Sequence, residues 1–415
     1  MISAIKNSIY KCHVKAVQCV IRVIPFQKPL TLVGEGSVSR LGAMFLGAGW
    51  EKPLVMTDQV LMELGIVDPL INSLKEHGIE CIVFDGVEPD PTYDVVNSAL
   101  SLLKKHKCDS VIALGGGSSI DAAKVVKIAA THNKPPHKFA GMFKAKNKGL
   151  PFIAVPTTAG TGSEVTIAAV ISDSKTHKKT IVIDPKLLPN VAVLDPQLHV
   201  KLPPAITAAT ALDALTHAVE AYFSTYKNDE SDAYALSATN MIFKHVEDAY
   251  SNGENIEARE QLAIASYYAG LAFTKTSLGY VHAIAHQLGA EYQIPHGVAN
   301  ALILEHVTEF NMAARPDLLA ELSVKCGLGS SVDGQETLAR LFLNKLKKLN
   351  KALGIPQKLP ELQEKDISRL AKAALREARV TPYPVPRIMS LKDCEKILQK
   401  ILIRNEDQSQ VKIIA

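Results

Sequence analysis

The stretch VIALGGGSSIDAAK, residues 111–124, decides the fold of this 415-residue chain. Val111-Ile112-Ala113-Leu114 is an uninterrupted apolar run of the kind that fills a parallel strand covered on both faces. It passes directly into Gly115-Gly116-Gly117 and then into a helical pattern. Three glycines remove every Cβ where a pyrophosphate must approach the backbone. The helix that follows aims its free N–H groups and the positive end of its dipole at the same place. The spacing is neither G-x-G-x-x-G nor G-x-x-x-x-G-K-[ST], and a tight turn with Ser118 or Ser119 as helix cap is the alternative reading.

The same strand-then-helix rhythm extends on both sides. Leu30 to Val33 precedes Gly34-Glu35-Gly36, and Pro53 to Thr57 precedes a helical stretch reaching about His77. Cys81 to Phe84 precedes a helix from about Tyr93 to Lys107, and Phe152 to Val155 runs into Thr157-Thr158-Ala159-Gly160-Thr161-Gly162-Ser163-Glu164. Short apolar runs each followed by a helix predict a parallel α/β sheet. Ligands of such sheets bind at the carboxyl ends of the strands. There the hydroxyls and glycines of 157–164 can wrap a ribose, a phosphate or a nicotinamide amide, or form only a polar turn. Asp58, at the end of the strand beginning at Pro53, can accept hydrogen bonds from an adenosine ribose and repel a 2′-phosphate, which favours NAD. It serves equally as the N-cap of the next helix.

After Leu194-Asp195-Pro196 strand-like runs almost disappear, and alanine- and leucine-rich helical patterns continue to the C-terminus. Pro203-Pro204 precedes the first long helix, so the predicted boundary divides residues 29–203 from residues 204–415. Residues 1–28 form a separate basic extension with Ile2, Ile5, Ile9, Ala16, Val20 and Ile24 at roughly helical spacing. A peripheral helix packed on the body of the protein or on a partner subunit is expected there, with a membrane-surface helix or an organellar targeting segment as the alternative.

Composition narrows the function. With 47% hydrophobic and 21% charged residues the chain is a globular protein, and a net charge of +4 without a long basic run excludes a nucleic-acid partner. No apolar run has the length of a bilayer crossing. Six scattered cysteines without a C-x-x-C pair fit a reduced cytoplasmic protein.

The helical half carries the chemistry. Asp213 and His217 lie four residues apart in ALDALTHAVEAY, with Glu220 a turn further, among apolar neighbours that bury them. A buried carboxylate beside an imidazole is costly unless the two pair with each other or share a cation. In GYVHAIAHQLGAEYQIPHGVANA, residues 279–301, His282 and His286 stack one helical turn apart. Gly289 and Pro295 read as the end of that helix, a turn that brings His296 back towards the same face. One carboxylate and several imidazoles suit a divalent ion acting as a Lewis acid on an alkoxide or carbonyl.

These motifs, GGGSSIDAAK at 115–124, PTTAGTGSEVT at 156–166, DALTHAVEAY at 213–222 and the stretch 279–301, resemble the iron-containing (group III) alcohol dehydrogenases. The resemblance runs from about Pro29 to the C-terminal region. It implies a dinucleotide-binding α/β domain with a parallel sheet, followed by an all-α metal- and substrate-binding domain. It places metal ligands on Asp213, His217, His282 and His296, and leaves His286 as a proton-relay histidine. Cofactor contacts fall on Asp58, Gly116, Gly117, Ser118, Thr157, Thr158, Thr161 and Lys179, and Phe273 becomes the substrate-pocket aromatic. Nitrogen-rich donors suit Zn(2+) as well as Fe(2+), and the resemblance favours iron, with NAD as hydride carrier and a small alcohol or aldehyde as substrate. A homodimer or higher homo-oligomer is expected. The chain departs from diol-oxidising relatives at Asp90 and Ala168, where they carry Asn, which argues against a 1,2-diol. It departs again at Val380 to Arg387, where a cysteine shortly before Asn-Pro-Arg is usual. A lyase or cyclase of the dehydroquinate synthase type, or a binding protein with a vestigial site, are the alternatives. The first would need a basic cluster that is not evident near the histidines, and the second is opposed by the intact ligand set.

Overall fold

The computed structural model describes residues 10, 12, 14–19, 27–176 and 178–403. Two compact units are present. One comprises Phe26–Pro203 with Asn252–Thr274, and the other Met1–Pro25, Pro204–Ser251 and Lys275–Ala415.

The first unit is built on a six-stranded sheet of β1 (Leu30–Val33), β2 (Pro53–Met56), β3 (Ile82–Phe84), β4 (Ser110–Gly115), β6 (Phe152–Pro156) and β9 (Val191–Leu194). Its order is β1-β9-β6-β4-β2-β3, with every pairing parallel. Alternation along the central strands feeds two cores. Val111 and Ala113 of β4 pack on one side with Ile120 and Val125, while Ile112 and Leu114 pack on the other with Val55 and Leu74. The helices α1 (Leu41–Ala48), α2 (Gln59–Glu63), α3 (Asp68–Glu76), α4 (Tyr93–His106) and α5 (Gly117–Ala130) follow the strands, and all but α1 fall in stretches expected to be helical. The stretch expected to be helical up to His77 is two helices, α2 and α3, because Gly65 adopts φ +67° between them. A second sheet, β5 (Gly141–Met142), β8 (Lys179–Ile183) and β7 (Ala168–Ser172), has no counterpart in the sequence reading.

The second unit is helical: α6 (Pro204–Phe223), α7 (Asp229–Ser251), then, after α8 (Ile256–Thr276), most of which belongs to the first unit, α9 (Tyr280–Tyr292), α10 (His296–Met312), α11 (Pro316–Lys325), α12 (Gln335–Ala352), α13 (Ile367–Val380) and α14 (Leu391–Ile401). The expected end of the histidine helix at Gly289 is wrong. The helix α9 continues through Gly289 to Tyr292 and stops at Gln293, whose φ of +57° makes it the left-handed cap. One glycine costs a helix only about 1 kcal/mol, which tertiary packing readily offsets.

Among the described residues no helix is long and apolar enough to cross a membrane. Of the extension, Ile2, Ile5, Ile9, Val20 and Ile24 lie outside the described residues, whereas 14–19 are helical and pack on the helical unit.

Candidate active site

In the sheet, β2, β4 and β6 are neighbours, so the residues following each lie side by side at the carboxyl edge. Gly116 caps α5 without any side-chain bond, which leaves the first amides of a fourteen-residue helix open to an anion. Ser118 and Ser119 lie inside α5, so the helix-cap alternative does not hold. A Cβ on Gly117 would stand 2.8 Å from Cγ2 of Thr161. The two motifs therefore interlock at this point, and only glycine fits.

Loop 157–166 is held from beneath by a lysine. Lys124, wholly buried, donates from Nζ to Ser163 Oγ (2.8 Å), Thr166 Oγ1 (2.7 Å) and the Ala168 carbonyl (2.7 Å). Burial pulls its pKa down to about 8, against the pull of Asp121 and Glu164. Asp121 accepts from Ser163 Oγ at 2.6 Å and from the Val170 amide at 2.8 Å. Within the loop Thr157 is buried and donates its amide to the Gly115 carbonyl at 3.1 Å, and Thr158 and Thr161 are half-buried. His199 supports the same point, its Nε2–H donating to the Pro156 carbonyl at 3.0 Å. Asp58 is the N-cap of α2, with Oδ1 accepting from the Leu61 amide at 2.9 Å. Lys179 pairs with Asp90 at 2.6 Å on the surface, and Phe273 is half-buried on α8.

The helical unit brings four of the predicted histidines and the aspartate together. Donor atoms of Asp213, His217 and His282, all buried, lie within 4.8 Å of one another. His296, the first residue of α10, places Nε2 3.5 Å from Asp213 Oδ1 and its ring 5.4 Å from that of His282. His217 and His282 stack at 4.6 Å, and His286 stacks on His296 at 5.3 Å.

Two partners orient these groups. Glu220, a turn beyond His217 on α6, accepts from the amides of Gly279 (2.8 Å) and Val281 (2.7 Å) and from His282 Nδ1 (2.7 Å). Its approach requires Gly279, where a Cβ would stand 2.7 Å from Oε1. With its proton fixed on Nδ1, His282 presents an unprotonated Nε2 to the cluster. Asn300 donates from Nδ2 to Asp213 Oδ1 at 2.6 Å and lies within 3.2 Å of the Nε2 atoms of His282 and His296. Asn300 was missed in the sequence, although four residues after His296 it shares that histidine's helical face.

Burial pushes the Asp213 carboxyl up, opposed by His217 and Asn300, and drives His282 well below the usual imidazole range. Convergent imidazoles, with His282 held neutral by burial, and one desolvated carboxylate are the donor set that a divalent cation requires. The residues present therefore fit a metal.

A parallel α/β unit with an open glycine turn, and a helical unit carrying an Asp/His cluster, together define a dehydrogenase-type chain. The chain belongs to the iron-containing alcohol dehydrogenase family, whose model matches residues 29–196 and whose C-terminal family model matches 207–402. It is 41% identical over 357 residues to the 1,3-propanediol dehydrogenase of Citrobacter freundii, covering 85% of this chain and 92% of that one. It is 36% identical over 381 residues to the NAD-dependent methanol dehydrogenase of Bacillus methanolicus, covering 91% and 99%. A crystal structure of a 1,3-propanediol oxidoreductase superposes with a TM-score of 0.87 at 37% identity, over 91% of this chain and all of that one. These relatives are oxidoreductases, which favours the dehydrogenase reading over the lyase alternative.

Proposed function

We propose that this chain is an NAD-dependent alcohol dehydrogenase and aldehyde reductase for small primary alcohols, with ferrous iron held by Asp213, His217, His282 and His296. The observation that carries the reading is the buried convergence of Asp213, His217 and His282, with Glu220 and Asn300 already orienting it. In this reading residues 29–203 hold the dinucleotide, residues 204–415 the metal and substrate, and residues 1–28 are an extension. The methanol and 1,3-propanediol in the relatives' names support the substrate class.

When bound, the ion supplies Lewis acidity to an alcohol or carbonyl oxygen and NAD supplies the hydride acceptor. The residues do the rest. Asp213 offsets the ion's charge, and Glu220 keeps His282 in the tautomer that can ligate. Gly116, Gly117 and Ser118 leave room for the pyrophosphate, with Thr157, Thr158 and Thr161 beside it. In this reading Asp58 accepts from the adenosine ribose and Lys179 is a further cofactor contact. His286 Nε2 receives the alcohol proton, and Phe273 contributes an apolar wall to the substrate pocket.

A homodimer is proposed on the open edge of β1, which among the described strands pairs only with β9 and exposes Leu30. A cytoplasmic location is proposed on the six free cysteines. Protein purified anaerobically should contain stoichiometric iron and reduce NAD with primary alcohols over a range of chain lengths. Activity of the stripped protein restored by zinc alone would remove iron from the reading. Turnover of an anionic cyclisation substrate, with no NAD reduction by any alcohol, would remove the dehydrogenase.

A further inference from the structure

One carboxylate beside the cluster lies outside every motif. Glu377, on α13, accepts from His286 Nδ1 at 2.6 Å and from the Tyr383 hydroxyl at 2.9 Å through Oε1, and from Gln287 Nε2 at 2.8 Å through Oε2. His286 and Gln287 are consecutive residues of α9, so both oxygens grip one turn of the histidine helix. We propose that Glu377 is the positioning residue of His286, holding the imidazole proton on Nδ1 so that Nε2 is the atom left to take a proton from the substrate hydroxyl.

The surroundings favour a fixed geometry over a chance surface contact. Tyr383 is 2% exposed, and burial together with Glu377 raises its pKa well above the usual phenol range, so it remains a donor to the carboxylate. The Tyr383 amide donates to the Ala378 carbonyl at 3.0 Å, closing the turn after α13. The Tyr383 carbonyl accepts from the hydroxyl of Tyr10, in the N-terminal extension. That extension is itself tied down: Tyr226 donates to the Val14 carbonyl at 2.6 Å, and Gln18 to the Thr225 carbonyl at 3.2 Å. Thr225 in turn donates its amide to the Pro384 carbonyl at 2.7 Å. The segment carrying Tyr383 is thus clamped from both sides. The His286 ring, a third exposed, lies over His296 and edge-on to His282, within the cluster.

The inference rests on the dehydrogenase reading for its chemistry. In alcohol oxidation the substrate O–H bond breaks and an Nε2–H bond forms. The electron pair left on oxygen becomes the carbonyl π bond as the carbinol hydride leaves for NAD. The imidazolium then carries a proton on each nitrogen, with Nδ1–H still on Glu377, and returns the Nε2 proton to solvent.

Two measurements test it. In the full-length protein loaded with zinc, which is diamagnetic, nitrogen-15 spectra of labelled histidine should show His286, identified by its loss in His286→Ala, protonated on Nδ1. In Glu377→Ala that tautomer should be lost. In steady-state assays of the iron-loaded protein, Glu377→Ala should lower kcat about tenfold to a hundredfold, with alcohol KM within about twofold and metal content unchanged. Glu377→Gln, which keeps an acceptor oxygen, should retain part of the rate if the alanine variant folds poorly. Added to His286→Ala, the Glu377 substitution should cost nothing more, because a positioning residue acts only through the group it positions. An unprotonated Nδ1 in the unmodified protein, or the same loss of kcat with and without His286, would refute the assignment. If the Nδ1–H tautomer is present and depends on Glu377 but no alcohol reduces NAD, the dehydrogenase reading fails and the positioning of His286 stands.

Discussion

Replacing Glu220 by Gln should weaken metal binding before it touches any other function. The carboxylate is 7% exposed and takes three N–H donors, Val281 on Oε1 and both Gly279 and His282 Nδ1 on Oε2. Burial pushes its pKa up to about 7, and the backbone amides of Gly279, Val281 and His282 pull it back. A glutamine oxygen can replace Oε1, but the amide nitrogen then faces two other donors. At roughly 1–3 kcal/mol for each buried donor left unmade, the local cost is about 2–6 kcal/mol. His282 can relieve it by moving its proton to Nε2 and accepting from the new amide through Nδ1. That exchange removes the lone pair the cluster needs. Loss of such an outer partner lowers metal affinity about tenfold to a hundredfold, equivalent to about 1.4–2.7 kcal/mol. The assay is competition of the stripped protein against a chromophoric chelator for Zn(2+) and, anaerobically, for Fe(2+), with His282→Ala as reference. Affinity for both ions equal to that of the unsubstituted protein would show that the Glu220–His282 bond does not set the donor state of the site.

Further outcomes follow from other parts of the molecule. Gly117→Val, whose Cβ would meet Thr161 at 2.8 Å, should raise the Kd for NAD about tenfold or more by fluorescence titration while leaving metal content unchanged. His199 is held neutral, burial pushing its pKa down to about 4 from 6.5. The unfolded chain binds more protons between these values, so this group's stability contribution is complete above pH 6.5 and is lost as pH falls towards 4. Proton uptake on unfolding near pH 5 should accordingly drop by about 0.9 proton in His199→Gln, measured by pH-stat; an unchanged uptake would mean the imidazole is already charged in the folded state. Removal of metal should lower the thermal midpoint, by the equivalent of about 2.7 kcal/mol when free metal had stood at a hundredfold Kd. In His282→Ala chelation should make no difference to calorimetric scans.

The α/β unit was legible because its signals are local. Val111 to Leu114 is apolar without a break, and Gly115 to Gly117 mark the passage from the strand to its helix. The short second sheet was not, since Lys179 to Ile183 is flanked by charges and pairs with β7 and β5 only through the tertiary fold. Gly289 misled for the same reason in reverse, a local breaker overridden by packing. In the cluster, Asp213, His217 and His282 could be picked out by spacing and residue type. Glu377 could not, because its bond to His286 spans 91 residues and depends on α13 docking against α9. Lys124 also escaped notice: a lysine inside a helix reads as surface, and only three acceptors gathered around Nζ make its complete burial tolerable.

The path of the chain between its two units has a consequence for synthesis. The segment Asn252–Thr274 returns to the α/β unit after the helical unit has begun, and Tyr267 within it shares a 2.7 Å hydrogen bond with Thr31 of β1. A nascent chain released as far as residue 203 therefore still lacks the helix that engages its first strand. The helical unit waits longer, because His282, His296 and Glu377 all emerge after that return. Neither unit can be completed in the order in which it is translated, and a single cut at the boundary near residue 204 would yield two incomplete fragments instead of two domains.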